Sequence, residues 1–164
     1  MIKIEEKEGR KYWVLSIDGD EVFGRVSRDT NYREHALDNG GAKYVLLDDD
    51  RPLFGRLLRS AWPDLVLQLA RMSKNVERAV LDSGDSLQLR LEVTDNYDDH
   101  LTFVLQEGVD AYVDACVLKE WFSVNNLPQL AAQYEAVAAG ALRRIITGIH
   151  YRKRAVKRPI HPIF

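Results

Sequence analysis

Between Leu101 and Ile149 apolar residues recur at three- and four-residue steps twice over, with a single interruption around Asn126 and Pro128. Leu101, Val104, Leu105, Val109, Tyr112, Val113, Cys116, Val117 and Trp121 form one stripe. Leu130, Tyr134, Val137, Ala138, Ala141, Leu142, Ile145 and Ile149 form the next. This spacing places each set on one face of a 3.6-residue helix. Asp95 or Asn96 is positioned to cap the first helix, and Asn126 followed by Pro128 starts the second, where the missing proline N–H costs nothing. The short linker makes the second helix turn back on the first, so the two are expected to pack antiparallel.

A third long helix is predicted after the acidic triplet Asp48, Asp49, Asp50. Acids at an N-terminal turn complement the helix dipole, and Pro52 suits a first-turn position. Leu53, Phe54, Leu57, Leu58, Ala61, Leu65, Leu69 and Met72 keep helical spacing beside Trp62, and Pro63 is a point where the helix can bend. Asp18 or Asp20 is placed to cap a shorter helix bearing Val22, Phe23 and Val26, although Gly24, Ser27, Thr30 and Asn31 disfavour helix. Asn39, Gly40 and Gly41, the glycines permitting positive φ, mark a loop after it.

Two stretches break the helical period. Residues 2–17 read as a hairpin turning at Glu8 and Gly9, its second strand holding Tyr12, Trp13, Val14, Leu15 and Ile17. Leu87, Leu89, Leu91 and Val93 alternate with Gln88, Arg90 and Glu92, the mark of a half-buried strand, and Ser83, Gly84 and Asp85 supply a turn from a partner strand around Ala79 to Leu81. The expected fold class is therefore mainly α. We expect a helical bundle with long antiparallel helices, one or two small β-hairpins and an extended C-terminal tail, divided as one domain over residues 1–150 and a basic tail over 151–164.

A chain of 164 residues can bury one core without disulfides or a structural metal, and its 46% hydrophobic and 29% charged residues are the proportions of a globular protein. Cys116 is the only cysteine, which rules out an internal disulfide and a Cys-rich zinc site and marks it as a buried core thiol. No apolar run approaches the roughly 18 residues of a membrane span, and the opening MIKIEEKEGRK lacks the apolar stretch of a secretory signal. These features point to the cytoplasm as the working compartment and to no membrane partner.

The formal net charge of −2 hides a segregation. Arg143 to Arg158 holds seven of the 23 bases and no acid, which leaves 16 bases against 25 acids elsewhere, a body of −9 beside a segment of +7. That segment, Arg143, Arg144, Arg152, Lys153, Arg154, Lys157 and Arg158, suits either nucleic-acid phosphates or an acidic protein surface. Protein is favoured, because the apolar residues Ile160, Ile163 and Phe164 follow and fit a groove or an exposed sheet edge. Partner-binding residues are accordingly expected at Arg152, Lys153, Arg154, Lys157, Arg158, Ile160, Ile163 and Phe164.

Enzyme signatures are sparse. Asp48, Asp49 and Asp50 lack the spaced glycine and glutamate of a calcium loop and read as helix-initiating acids. Asp95, Asp98, Asp99 and His100 bring carboxylates beside an imidazole, a set that suits metal or acid-base chemistry but equally opens a helix. His35, His100, His150 and His161 show no metal-site spacing and read as ordinary surface or tail residues, and the two glycines of Asn39 to Ala42 are not followed by the paired lysine and serine or threonine of a phosphate loop. No catalytic residue, cofactor site or metal is expected.

Several segments taken in order carry a resemblance. They are the Gly41, Ala42, Lys43 loop before the acidic helix start, LFGRLLRSAW, LQLRLEV leading into YDDHL, AYVDACVLKEWF, and LPQLAAQYEAVAAGALRRI ending in HYRKRAVKRPI. Over roughly residues 20–160 this order resembles small virion proteins of tailed phages and prophages of the head-to-tail connector (neck or adaptor) type, including a group from Bacteroides. The N-terminal hairpin departs from their more helical pattern. The resemblance implies a non-enzymatic virion subunit, made in the host bacterial cytoplasm, that forms a homo-oligomeric ring beside the portal protein. Its tail would hold adjacent subunits or neck proteins, and an acidic channel would let DNA pass without sticking. A nucleic-acid-binding accessory protein that uses the basic tail is the alternative.

Overall fold

The computed structural model describes residues 2–37, 44–81, 86–93 and 101–150. The chain opens with β1 (Ile2–Lys7) and β2 (Arg10–Ile17), paired antiparallel from Ile2↔Leu15 to Lys7↔Arg10. Glu8 and Gly9 both take positive φ, 53° and 75°, as a two-residue hairpin turn requires if its twist is to match the strands. A second antiparallel pair joins β3 (Asn75–Leu81) to β4 (Leu87–Val93), with a register shift between Val76 and Arg78.

The sequence predicts one or two hairpins attached to a helical bundle; the structure fuses them into one sheet. β2 pairs with β4 from Lys11↔Val93 to Ile17↔Leu87, giving four antiparallel strands in the order β1-β2-β4-β3. Trp13, Leu15 and Ile17 stand opposite Leu91, Leu89 and Leu87. Pairing thus merges two apolar half-faces into one and removes two exposed edges that would otherwise template aggregation.

Helix α1 (Gly19–Leu37) is far longer than the short helix expected. Asp18 caps it, its carboxylate accepting the Asp20 N–H at 2.8 Å. The residues that argued against helix are the ones tertiary structure uses. Ser27 Oγ donates to the Leu46 carbonyl at 2.8 Å, while Thr30 Oγ1 accepts the Leu46 N–H at 3.1 Å and donates to the Ser27 carbonyl at 2.9 Å. Leu46 is 1% exposed, so burial of that connection outweighs weak local propensity. Thr30→Val, similar in shape, leaves the buried Leu46 N–H without its acceptor and is expected to cost about 1–3 kcal/mol, read as a lower urea midpoint at unchanged slope.

A 3-10 turn, Asp48–Asp50, leads into α2 (Arg51–Met72), with Pro52 in its first turn and the exposed Pro63 accommodated inside it. The acidic triplet therefore stands at a helix entrance, as its position suggested. α3 (Thr102–Val124) and α4 (Pro128–His150) follow, joined through Asn126 at φ 58°, a left-handed position that asparagine tolerates. The caps expected at Asp95 or Asn96, the loop at Asn39 to Gly41 and the turn at Ser83 to Asp85 lie outside the described residues.

One apolar cluster runs through the strands and all four helices. Phe54, Leu58, Trp62, Leu65 and Leu69 of α2 join Trp13, Leu15, Leu89 and Leu91 of the sheet and Leu105, Val109, Val113, Val117 and Phe122 of α3. Along α4, Tyr134, Ala138, Ala141 and Ile145 complete it. A Cβ on Gly108 would lie 2.9 Å from Ile145 Cγ1, and one on Gly148 3.0 Å from Leu105 Cδ2, so both glycines mark close approach of α3 and α4. Two residues of the predicted stripes are not in the core: Val104 is 40% and Val137 46% exposed. Among the described residues, no helix is long and apolar enough to cross a membrane.

Candidate functional site

The exposure of Val104 has a local counterpart. Leu101 and Val104 at the start of α3 and Gly148 near the end of α4 line an open groove of about 320 Å³, with Arg143, Arg144 and Thr147 completing it. The close approach allowed by Gly148 sets its depth, because a larger side chain there would meet Leu105. Arg143 and Arg144 are exposed, and no acid is among the described residues that line the groove. Phe103, 68% exposed, extends apolar surface at the same end of α3. An apolar depression with cations at its margin suits an apolar side chain flanked by negative charge.

A second polar assembly lies where α1 packs on α3, with Tyr134 of α4 reaching Asp29. Arg25 holds Asp114 through two hydrogen bonds, Nε to Oδ2 at 2.6 Å and Nη2 to Oδ1 at 2.9 Å, and lies 3.7 Å from Asp110. Gln106 donates to Asp110 at 2.7 Å, and the Tyr134 hydroxyl donates to Asp29. The Asp114 hydrogen bond holds the Arg25 guanidinium above its ordinary pKa, whereas burial raises the Asp114 carboxyl despite Arg25 pulling it down. The two shifts point to one balance, in which pairing does not fully offset the desolvation of the carboxylate. This assembly reads as a structural clamp between helices.

A third cluster covers the sheet face turned away from the core. Arg90 lies 4.6 Å over the Tyr12 ring, 3.1 Å from Glu77 and 3.4 Å from Glu5, while Arg10 lies 3.6 Å from Glu92. At the entrance to α2, Arg51 bridges Asp20 and Asp48 and sits 4.2 Å over the Phe23 ring. The charges on the sheet are paired, whereas at the α2 entrance one guanidinium serves two carboxylates and the surface stays acidic.

The sequence-predicted partner residues Arg152, Lys153, Arg154, Lys157, Arg158, Ile160, Ile163 and Phe164 lie outside the described residues, as do Asp95, Asp98, Asp99 and His100. Of the basic segment, only Arg143 and Arg144 have described side chains, and the structure brings them together in the groove. The side chains of His35 and His150 are not among those described, and neither His100 nor His161 is a described residue. Cys116 is half-buried against the core rather than fully enclosed, its thiol pushed up by burial. Among the described residues no three His, Cys, Asp or Glu side chains are grouped to hold a metal ion. Sequence reasoning missed Arg25, Asp29, Asp110 and Asp114; Asp110 and Asp114, one helical turn apart within an apolar helix, were the available signal.

No protein-family model matches the chain, and neither the curated proteins nor the solved structures hold a detectable match to it.

Proposed function

We propose that this chain is a non-enzymatic structural subunit of a tailed-phage virion, a head-to-tail connector of neck or adaptor type that assembles as a ring next to the portal. The observation that carries the proposal is the open α3–α4 groove with Arg143 and Arg144 at its margin, at the root of the segment where the chain's positive charge is gathered. Such a surface has the composition of a contact for another protein, apolar at its centre and charged at its rim. α3 and α4 are read here as an antiparallel pair, consistent with Leu105 meeting Gly148 near one end and Phe122 meeting Tyr134 near the other.

On this reading the residues beyond α4 extend the contact. Arg152, Lys153, Arg154, Lys157 and Arg158 engage an acidic neighbour, and Ile160, Ile163 and Phe164 anchor it. An acidic body with a basic segment is self-complementary, which favours head-to-tail assembly. The exposed Arg143 and Arg144 also favour the alternative, an accessory protein that binds nucleic-acid phosphates.

Light scattering and co-sedimentation of the chain with portal-bearing heads of its phage separate the two. Full-length chain is expected to be captured, and truncation after Ile149 to weaken capture at least about tenfold, a loss of roughly 1.4 kcal/mol. Equal capture of both forms would remove the tail from the contact. Binding to bare duplex DNA that falls steeply with salt, without capture on heads, would replace the connector with the nucleic-acid reading.

A further inference from the structure

We propose that the groove is a socket for a second copy of this chain, and that its occupant is the Leu47–Asp49 corner of that copy. The inference deepens the ring reading above and rests on it. Leu47 is 54% exposed, although the chain on either side of it is firmly held. Its own N–H is bonded to the Asp50 carboxylate at 3.0 Å, and Leu46 beside it is buried and fastened to Ser27 and Thr30. An apolar side chain is thus presented to solvent on a fixed corner. Asp48 and Asp49 follow it directly and are exposed.

The two surfaces are complementary in both respects that matter. The corner is apolar with acids beside it; the groove is apolar, through Leu101, Val104 and Gly148, with Arg143 and Arg144 beside it. Burying Leu47 supplies the dry centre of a contact, and the four charges supply orientation and partner choice at its rim.

One copy cannot make this contact with itself. The segment that carries Leu47 is tied to α1 through Leu46, and the Tyr44 carbonyl accepts the Trp121 indole N–H at 2.9 Å. Trp121 lies about 25 Å along α3 from Val104, at 1.5 Å per residue. Corner and groove are different patches on one chain, so the contact is head-to-tail, and it closes into a ring or continues as a filament according to the rotation it imposes.

Charge reversal with cross-rescue tests this on the full chain by sedimentation velocity at low salt. Wild type is expected to self-associate, and to do so less as salt rises. Asp48→Lys with Asp49→Lys, and separately Arg143→Glu with Arg144→Glu, are each expected to weaken association at least about a hundredfold, because each sets like charges against like. An equimolar mixture of the two variants is expected to associate again, since each then offers the other an oppositely charged surface; recovery also shows that both are folded. Leu47→Ser leaves the Asp48–Arg51 pair in place and is expected to weaken association about tenfold, the value of losing one buried apolar side chain of roughly 1.5 kcal/mol or more.

A wild-type chain that stays monomeric, reversal variants that associate like wild type, or a mixture no better than its components would each overturn the socket. Tail-dependent capture on heads with reversal variants unchanged would sink the socket and leave the connector reading standing. Rescue in the mixture without any capture on heads would do the opposite.

Discussion

Arg25→Met is expected to destabilise the fold by about 2–4 kcal/mol, more than removal of any other single ion pair in the described chain. Arg25 is the partner that both oxygens of Asp114 meet, at 2.6 and 2.9 Å, and the Asp114 side chain is only 21% exposed. Without the guanidinium, a largely desolvated carboxylate faces Asp110 and Asp29, the like charges that already push its pKa upward after burial itself. Arg25 keeps 30% exposure, so water recovers part of the loss and the cost stays below that of a fully enclosed pair.

The pH dependence has a definite sign. Asp114 has a folded pKa above its unfolded value, so its contribution is fully present below the ordinary carboxylate value of about 3.9 and is lost as pH rises through the folded pKa. Arg25→Met removes a group that lowers that pKa, which moves the window upward and enlarges the loss at neutral pH. The gap between variant and wild type should therefore narrow as pH falls from 7 toward 4.5, as read from urea midpoints of both proteins. The double variant Arg25→Met with Asp114→Leu is expected to recover most of the loss, because apolar residues of similar size in place of an ion pair carry no uncompensated charge. A gap that stays constant with pH, or a double variant no better than the single one, would show that Arg25 acts by packing its stem rather than by pairing Asp114.

What could be read from the sequence was whatever depends on period. The stripes over Leu105 to Trp121 and Tyr134 to Ile145 announced α3 and α4, and the alternation of Leu87, Leu89, Leu91 and Val93 announced β4, because a buried face repeats with the geometry of its element. Which strand β2 would pair with was not legible. Trp13, Leu15 and Ile17 match the alternating apolar set of β4, but pairing across some seventy intervening residues is set by the helices that cover the joint face. α1 was underestimated for a related reason. Ser27 and Thr30 look like helix breakers until their hydroxyls find Leu46, which no local window contains.

The groove was illegible in a different way. Val104 fits the apolar stripe perfectly, and only the end of the packed interface, where Gly148 thins α4, exposes it. The charge segregation that drew attention to Arg143 and Arg144 was plain in the sequence, yet the apolar floor that gives those cations a partner of particular chemistry needed the fold. Leu47 shows the converse: it stands directly beside Leu46, and which of these two adjacent leucines is buried needed the fold.

Phe122→Ala is expected to cost about 3–5 kcal/mol, enough to consume a large part of the stability of a domain this size. Phe122 is fully buried and stacks on Tyr134 with centroids 5.5 Å apart at 17°, joining α3 to α4 close to the turn between them. The Tyr134 hydroxyl in turn donates to Asp29 of α1, so one ring positions a three-helix junction. Truncation removes the transfer free energy of the ring and opens a cavity that Tyr134 and the surrounding core can only partly refill. Phe122→Leu keeps most of the volume and loses the stacking, so about 1–2 kcal/mol is expected. The groove begins about 27 Å away along α3, at Val104, and does not share these contacts. At concentrations of urea where the variant remains folded, its self-association should match wild type, whereas the Leu47 and Arg143–Arg144 variants should lose association at wild-type stability. If Phe122→Ala instead abolished association while still folded, as judged by an unchanged circular dichroism spectrum, the groove would depend on the far end of the α3–α4 pair, and the contact surface would have to be redrawn to include it.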